Sequence, residues 1–496
     1  MVCGTTSDAG KSHVVTGLCR LLSRQGIKVA PFKAQNMALN SFVTASGHEI
    51  GRAQAVQAMA AGLEPEVGMN PILLKPTGER TSQVVVRGEV LGHLSAAEYH
   101  EYKPKLLRGV LDSLQDLRDR FDVVIVEGAG SPTEINLLDN DIVNLRIASE
   151  ARLPAVVVGD IDRGGVFAAL YGTVELLPDH YRSLVRGFII NKFRGDPELL
   201  GDGLNMLEDR CKVPTLGVLP WLNDIALDAE DSFSLAGRRP RPATQSVGDV
   251  LDIAVVQLPR ISNFTDLDPL AIEPGVAVRF VDSAGSLGTP DLVVIPGTKA
   301  TVLDLQWLRS RGLDQALDRC RKSGTVVLGI CGGFQILGQK IIDSIESDLG
   351  DANGLGFFDV ETRFHPDKIT RQRSGTAFGK GIHGYEIHHG RISVTQHDSG
   401  GSPWLFLDDS YGVEPEGIIS KDEMLLGTTI HGLFEADEFR ETFLRYVARH
   451  RAKSYFPVGI SFADARDDQF NRLADLIEGN LDMDALNNIV TLGISK

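Results

Sequence analysis

Cysteine is scarce and scattered in this chain. Five occur in 496 residues, Cys3, Cys19, Cys211, Cys320 and Cys331, and no two form a C-x-x-C pair. That pattern indicates neither a disulfide framework nor a structural zinc site. Long hydrophobic runs are missing too: none approaches the roughly 20 apolar residues of a membrane-spanning helix. The N-terminus has no secretory-leader pattern. Basic character is also lacking, since 66 acidic and 50 basic side chains leave a net charge of −16. A nucleic-acid partner is therefore not expected. Internal repeats and low-complexity tracts are absent. What is present is 43 % hydrophobic and 23 % charged, the composition of a globular protein long enough for two or three domains. A reducing cytoplasm fits all of these features.

One cysteine sits in an informative setting. In residues 325–338, TVVLGICGGFQILG, apolar and β-branched residues run straight into Cys331. Two glycines and a helix-like run follow. The pattern predicts a strand, a sharp turn and a helix, with the thiol at the turn. Such an elbow lifts a nucleophile clear of the sheet, and the helix N-terminus favours a thiolate. Gly332 and Gly333 let backbone N–H groups approach a reacting carbonyl. A proton carrier is offered by His431, in TTIHG at the end of another apolar run. The competing reading is a buried structural cysteine in a glycine-rich turn. Cysteine, flanking glycines and a strand-end histidine together favour the nucleophile.

The first twelve residues, MVCGTTSDAGKS, end in the core of a phosphate-binding loop. Backbone N–H groups near Gly10 would cradle phosphate, Lys11 would neutralise it, and the Ser12 hydroxyl would bind Mg²⁺. The usual first glycine of that motif would fall on Thr5, whereas the glycine present is Gly4. The strand before the loop is reduced to residues 1–3, and a short central strand is expected. A second strand, residues 28–32, leads to Lys33, Gln35, Asn36 and Met37, with Asn40 and Ser41 close behind. Ligands of open α/β sheets gather at such strand ends, so these groups are candidates for holding a polar substrate. Lys75, Arg80 and Arg87 read individually as solvated surface charges. Residues 121–126 form a buried strand that ends in Glu127, a candidate second Mg²⁺ ligand beside the loop. A further strand runs into GDIDRGG, where Asp160, Asp162 and Arg163 could orient phosphate, metal or a substrate carboxylate. Residues 187–190 end at Asn191, whose amide could read an adenine edge.

Residues 236–249 lack periodicity and mark a linker. They separate a nucleotide-binding region, residues 1–235, from a second strand–helix alternation over residues 250–450. Residues 362–381 are polar and read as a loop. His388 and His389 fall on a strand placed away from His431. Residues 451–496 read as a helical extension of unspecified role. The expected class is α/β, with two open, mainly parallel-sheet domains followed by that extension.

Several segments carry a resemblance. GICGGFQ with a downstream His431 resembles the class I glutamine amidotransferase domain, whose fold is flavodoxin-like. Residues 296–298 look like its oxyanion loop, which implies the N–H groups of Gly297 and Gly332 as donors. That family usually has a Glu two residues after the His; here the position is Leu433, and Glu435 is the nearest carboxylate in sequence. The Gly4–Thr5 spacing resembles the dethiobiotin-synthetase-like branch of P-loop proteins and implies Thr5 as a nucleotide contact. Over essentially the whole chain, SDAGKS, PFKxQNM, NPILLKP, VEGAGSPxEINL, GDIDRGGVF, NKFRGD, GICGGFQILG and IHGLFE resemble the cobyric acid synthases. That branch is known for a Cys–His pair without the Glu. The resemblance implies ATP and Mg²⁺, glutamine as nitrogen donor and a corrinoid substrate, with no nucleic acid or membrane involved. The implied reaction amidates the b, d, e and g carboxylates of adenosylcobyrinic a,c-diamide. Three other readings remain: a cobyrinic acid a,c-diamide synthase, a partitioning-type ATPase with an inert amidotransferase domain, and a glutamine hydrolase serving a partner.

Overall fold

The computed structural model describes residues 1–78, 80–222, 248–347, 349–395 and 401–492. The expected linker, residues 236–249, lies outside the described residues except for its last two positions.

The first half is built on parallel strands. Val2–Gly4 pairs with Ala155–Asp160, which is followed outward by Val185–Phe193 and Thr215–Pro220. On its other side a parallel bridge from Val2 to Glu127 joins the pair Val29–Phe32 and Val123–Val126. The short first strand is thus central. Its register is held by bonds from Gly128 N to Val2 O and from Val156 N to Met1 O, both 2.9 Å. In the neighbouring strand Val156, Val157 and Val158 are all buried, so both faces of the sheet are covered, as parallel sheets require. The loop after Val2–Gly4 turns at Gly10, in the left-handed region, into the helix Lys11–Arg24. A small mixed sheet, Gln35–Met37, Ile72–Pro76, Thr81–Val86 and Glu89–Ser95, and a hairpin, Ser41–Val43 with Glu49–Gly51, project from this half.

The second half holds five parallel strands in the order Val276–Val281, Leu251–Val256, Leu292–Ile295, Val326–Ile330 and Leu425–Thr428. Ile418–Ser420 and Gly401–Ser402 extend them antiparallel. A second sheet contains a long ribbon, Val360–Ala377 paired with Lys380–Val394. Residues 362–381, read from sequence as a loop, are therefore mostly strand. Val360, Thr362 and Phe364 alternate inward with period two, but the intervening charges mask that pattern. The ribbon leans on the hairpin of the first half. Tyr385 Oη donates to Ser41 O at 3.0 Å, and Gln372 donates to Val43 O.

The C-terminal helices are part of the first half. The helix Phe462–Asn480 lies along Lys11–Arg24, with Phe470, Leu473, Ala474 and Ile477 buried. Arg20 pairs with Asp467 at 2.5 Å and Arg24 with Asp475 at 2.6 Å along the seam. Beyond the helix, Asp482 N donates to Leu216 O at 2.7 Å, capping the sheet edge. The extension is thus integral to the core of the first half.

The two helices touch at Gly17, where an added Cβ would stand 2.5 Å from Ile477 Cδ1 and 2.9 Å from Leu473 O. Gly17→Val is expected to push Phe462–Asn480 outward and lower stability by about 1–3 kcal/mol, measured as a shift in the denaturant midpoint. An unchanged midpoint would show that the helices are not tightly seated.

Candidate functional site

Cys331 ends the strand Val326–Ile330 and caps the helix Gly332–Leu337 with φ 50° and ψ −107°. A non-glycine residue held there stores roughly 1–3 kcal/mol of strain. The surroundings impose it: Cys331 N donates to Thr428 O at 2.7 Å, and Gln335 N donates to Cys331 O at 3.1 Å. Gly333 is required by close approach, since a Cβ there would fall 1.8 Å from Ile295 O. The strand Leu425–Thr428 runs beside Val326–Ile330 and delivers His431, which hydrogen-bonds Cys331.

The third member is Asp266. Its Oδ2 lies 2.6 Å from His431 Nδ1, and its Oδ1 accepts from Gly432 N at 2.9 Å. Asp266 sits in the short helix Phe264–Leu267, on the segment that follows the strand Leu251–Val256. Burial opposes charge on His431, but Asp266 and Cys331 outweigh it and raise the imidazole to about 10. Glu435, the nearest carboxylate in sequence, is engaged elsewhere. It accepts from Arg52 at 2.9 Å and from Arg466 at 3.1 Å. Asp266 escaped the sequence reading because it lies 165 positions from His431. Its one signal is a carboxylate following a strand of the same sheet.

Gly297 and Gly332 both face this site. A Cβ on Gly297 would meet His431 Cε1 at 3.0 Å, and one on Gly332 would meet Thr298 N at 2.9 Å. The loop is pinned by Thr298 Oγ1 donating to the buried Asp304 at 2.6 Å; burial raises that carboxyl to about 6. A cavity at the thiol is lined by Cys331, His431, Gln335, Lys299, His388 and Lys75, among others. Two expectations change here. His388 and His389 lie beside the thiol, because Tyr385 and His431 form a backbone bridge. Their ring nitrogens have other partners, Gly390 O for His388 and His365 O and Gln83 for His389. Lys75 is buried rather than solvated, and it pairs with Glu49 at 2.6 Å.

The second site centres on Glu127. Its Oε1 accepts from Ser12 Oγ at 2.8 Å and from Lys33 Nζ at 2.9 Å, and its Oε2 accepts from Gln57 at 2.5 Å. Burial disfavours the carboxylate, but Lys33 and these donors hold its pKa below the usual range. Lys11 Nζ donates to Thr6 O, Ser7 O and Gly130 O at 2.9, 3.2 and 3.2 Å. Thr5 N is bonded to Val158 O at 2.9 Å. Asn191 braces the loop by donating to Ala9 O at 2.9 Å. Its side chain also borders an apolar cavity formed by Val14, Leu219, Pro220, Trp221, Leu473 and Ile477. The last two come from the C-terminal helix, which the sequence reading left without a role.

A cleft of about 620 Å³ is lined by Lys11, Lys33, Asn36 and Met37 of the first half, and by Gln257, Arg260, Ile261 and Trp307 of the second. Gln35 instead points to Tyr99, whose hydroxyl donates to it at 2.5 Å. Asn40 and Ser41 are buried at the junction of the halves. Asp160, Asp162 and Arg163 form a separate group on the outer flank of the phosphate loop. They pair with Lys192 at 2.8 Å, Arg194 at 2.6 Å and Asp8 at 3.0 Å. Ser12 and Glu127 are hard oxygen donors in contact, suited to Mg²⁺, which takes few protein ligands and completes its shell with phosphate and water. Among the described residues no cluster of three His, Cys, Asp or Glu could hold a metal alone. No helix among them is long and apolar enough to cross a membrane.

Comparison with known proteins gives two family models. Residues 1–234 match the CobQ/CobB/MinD/ParA nucleotide binding domain, and residues 252–439 match the CobB/CobQ-like glutamine amidotransferase domain. A cobyric acid synthase of Nocardia farcinica is 50 % identical, covering 99 % of this chain and 96 % of its own. One of Streptomyces avermitilis is 52 % identical with the same coverages. A third, of Rhodococcus jostii, is 49 % identical over 99 % of this chain and 95 % of its own. A solved structure titled "Crystal structure of glutamine amidotransferase" aligns with 40 % of this chain and 98 % of its own, at 14 % identity and a TM-score of 0.31.

Asp266→Asn is expected to lower glutamine hydrolysis by about 10²–10⁴-fold, since it leaves His431 without its anion and with the wrong hydrogen-bond partner. The linkage has a defined sign. A raised His431 pKa adds stability that is complete below about pH 6.5 and is lost as pH rises through about 10. In Asp266→Asn that alkaline decline should flatten in pH-dependent unfolding. Wild-type turnover and an unchanged profile would remove Asp266 from the site.

Proposed function

This chain belongs to the cobyric acid synthase family and is an amidotransferase-type ligase, and from that premise we propose its reaction. It uses ATP and glutamine to amidate the b, d, e and g carboxylates of adenosylcobyrinic a,c-diamide, giving adenosylcobyric acid. One observation carries this reading: the cleft that holds Lys11 and Lys33 is walled on its far side by the amidotransferase half. The acid to be activated and the source of nitrogen therefore share one interface.

In the amidotransferase half, the Cys331 thiolate attacks the side-chain carbonyl of glutamine. The N–H groups of Gly297 and Gly332 receive the oxyanion. His431 gives a proton to the departing ammonia, then takes one from the water that hydrolyses the thioester. Asp266 keeps Nδ1–H occupied and so presents the other ring nitrogen to the thiol. In the first half, Thr5, Gly10, Lys11 and Ser12 hold the ATP phosphates. The adenine lies in the apolar cavity beside Asn191 and Trp221. Ser12 and Glu127 would hold Mg²⁺, which neutralises phosphate charge when bound. A carboxylate is a poor electrophile; transfer of the γ-phosphoryl group gives an acyl phosphate, from which ammonia displaces inorganic phosphate to leave the amide. Lys33 and Asn36 orient the substrate carboxylate in the cleft. Arg163 and, through Lys192, Asp160 act from the flank by steadying the loop at Asp8, while Asp162 holds Arg194. Such a reaction suits a cytoplasmic enzyme.

Purified protein supplied with ATP, glutamine and the a,c-diamide should yield a product with four added amides by mass. Cys331→Ala should lose glutamine-dependent synthesis and retain synthesis from added ammonia. Lys11→Ala should lose both synthesis and ATP turnover. Loss of the ammonia-dependent reaction in Cys331→Ala would make that thiol structural, and unchanged ATP turnover in Lys11→Ala would refute the phosphate-loop role.

A further inference from the structure

Behind the loop at residues 296–300 lies a carboxylate that water does not reach. Asp304 stands in the first turn of the helix Thr301–Ser310, and its side chain is fully buried. Its Oδ2 accepts from Thr298 Oγ1 at 2.6 Å and from Arg260 N at 3.1 Å. Its Oδ1 has no hydrogen-bond partner among the described residues. The charged group that faces it is Arg260, whose Nη1 lies 3.9 Å from Oδ1. Lys299, on the loop itself, pairs with Glu346. Leu305 and Leu308 of the same helix pack with Leu317 of the helix Leu313–Lys322 and Phe334 of Gly332–Leu337, so its neighbours are hydrocarbon. A half-satisfied acid is costly in such a core, and its place there points to the group it holds.

That group is Thr298. With its hydroxyl proton committed to Asp304, Thr298 Oγ1 accepts from Ala300 N at 3.0 Å. Ser262 N donates to Gly297 O at 2.8 Å. The backbone from Gly297 to Ala300 is fixed by these bonds. Thr298 also touches the other glycine of the site, since a Cβ on Gly332 would stand 2.7 Å from Thr298 Cγ2. We propose that Asp304 is a positioning residue for glutamine hydrolysis: its ionised carboxylate clamps Thr298 and so aims the N–H groups of Gly297 and Gly332 at the oxyanion formed on Cys331. This role rests on the amidation reading above. A hydrogen bond to a charged acceptor is stronger than one to a neutral acid, and donors fixed in advance need no reorganisation as the oxyanion forms. Loosening the clamp therefore lowers kcat and leaves the binding of glutamine in its ground state unchanged.

The clamp responds to pH with a defined sign. Burial raises the Asp304 carboxyl to about 6, and the bonds from Thr298 and Arg260 N and the Arg260 charge offset part of that rise. The ionised form is the active one. Glutamine hydrolysis is therefore complete above that value and declines as pH falls through about 6. His431, raised to about 10, stays protonated over the same range and does not produce this limb.

The test follows kcat and KM for glutamine hydrolysis from about pH 5 to about pH 9, with amide formation from added ammonium chloride as the control. Wild-type protein should show the acid limb near pH 6. Thr298→Val keeps the shape of the loop and removes the bond that favours the carboxylate. Its kcat should fall at least about tenfold, and its limb should move to higher pH. Asp304→Asn keeps an acceptor for Thr298 but has no proton to titrate. Its kcat should fall about three- to tenfold at alkaline pH, and the limb near pH 6 should vanish. In both variants KM for glutamine and synthesis from ammonium chloride should stay within about threefold of wild type. A wild-type kcat in both, or a limb at the wild-type pH in both, would overturn the proposal. If one variant also loses ammonia-dependent synthesis through misfolding, the other decides; the same loss in both would make the clamp a support of the fold and overturn its catalytic role. Wild-type protein that hydrolyses no glutamine at any pH would instead refute the amidation reading, and this role with it.

Discussion

The molecule's two-site arrangement is tied together at one largely enclosed carboxylate. Glu435 is held between Arg52 at 2.9 Å and Arg466 at 3.1 Å. The three residues come from the first half, the His431 loop and the C-terminal helix. Burial alone would favour the neutral acid, but the two guanidinium groups keep Glu435 charged. Removing Glu435 would leave the buried Arg52 guanidinium without its carboxylate, which is unfavourable for a buried charge. The node therefore fixes the loop carrying His431 against the first half. It also explains why the position is not free to serve the imidazole, and why that duty falls on Asp266.

The same helix reaches the other site. Arg52 opens Arg52–Ala60, Gln54 receives a bond from Asn36 at 2.9 Å, and Gln57 donates to Glu127 at 2.5 Å. These three polar side chains are all buried. A helix with polar groups buried on successive turns gains little from amphipathic packing; its value here is that each of the three side chains makes at least one defined bond, although Gln54 Nε2 and Gln57 Oε1 have no partner among the described residues. One rigid element only 9 residues long thus touches the glutamine-side loop at its start and the phosphate-side carboxylate at its middle.

What could be read from the sequence follows from the range of the interactions involved. The phosphate loop, the Cys331 elbow and the strand ends at Glu127, Asn191 and His431 are local patterns, in which a few adjacent residues set the backbone. Asp266, Lys75 and the C-terminal helix are different. Each acquires its role from a partner far along the chain: Asp266 from His431, Lys75 from Glu49 and the thiol cavity, Ile477 from Gly17. Charge misled in the same way. Lys75 reads as a surface residue because lysine usually is one, and the ribbon Val360–Ala377 reads as a loop because its outward face is charged. The acids at Asp160 and Asp162 are strand-end groups as expected, yet their lysine and arginine partners turn them to the flank of the loop.

The two cavities differ in a way that bears on catalysis. The cleft has about 620 Å³, whereas the space at Cys331 has about 30 Å³, enough for one or two waters. A molecule larger than that reaches the thiol only if the residues that enclose it move. Those residues belong to both halves: Lys75 comes from the first, and Ser262, Lys299, Lys368 and His388 from the second. At this cavity the halves share one buried ion cluster, in which Glu49 pairs with Lys75 at 2.6 Å and with Lys368.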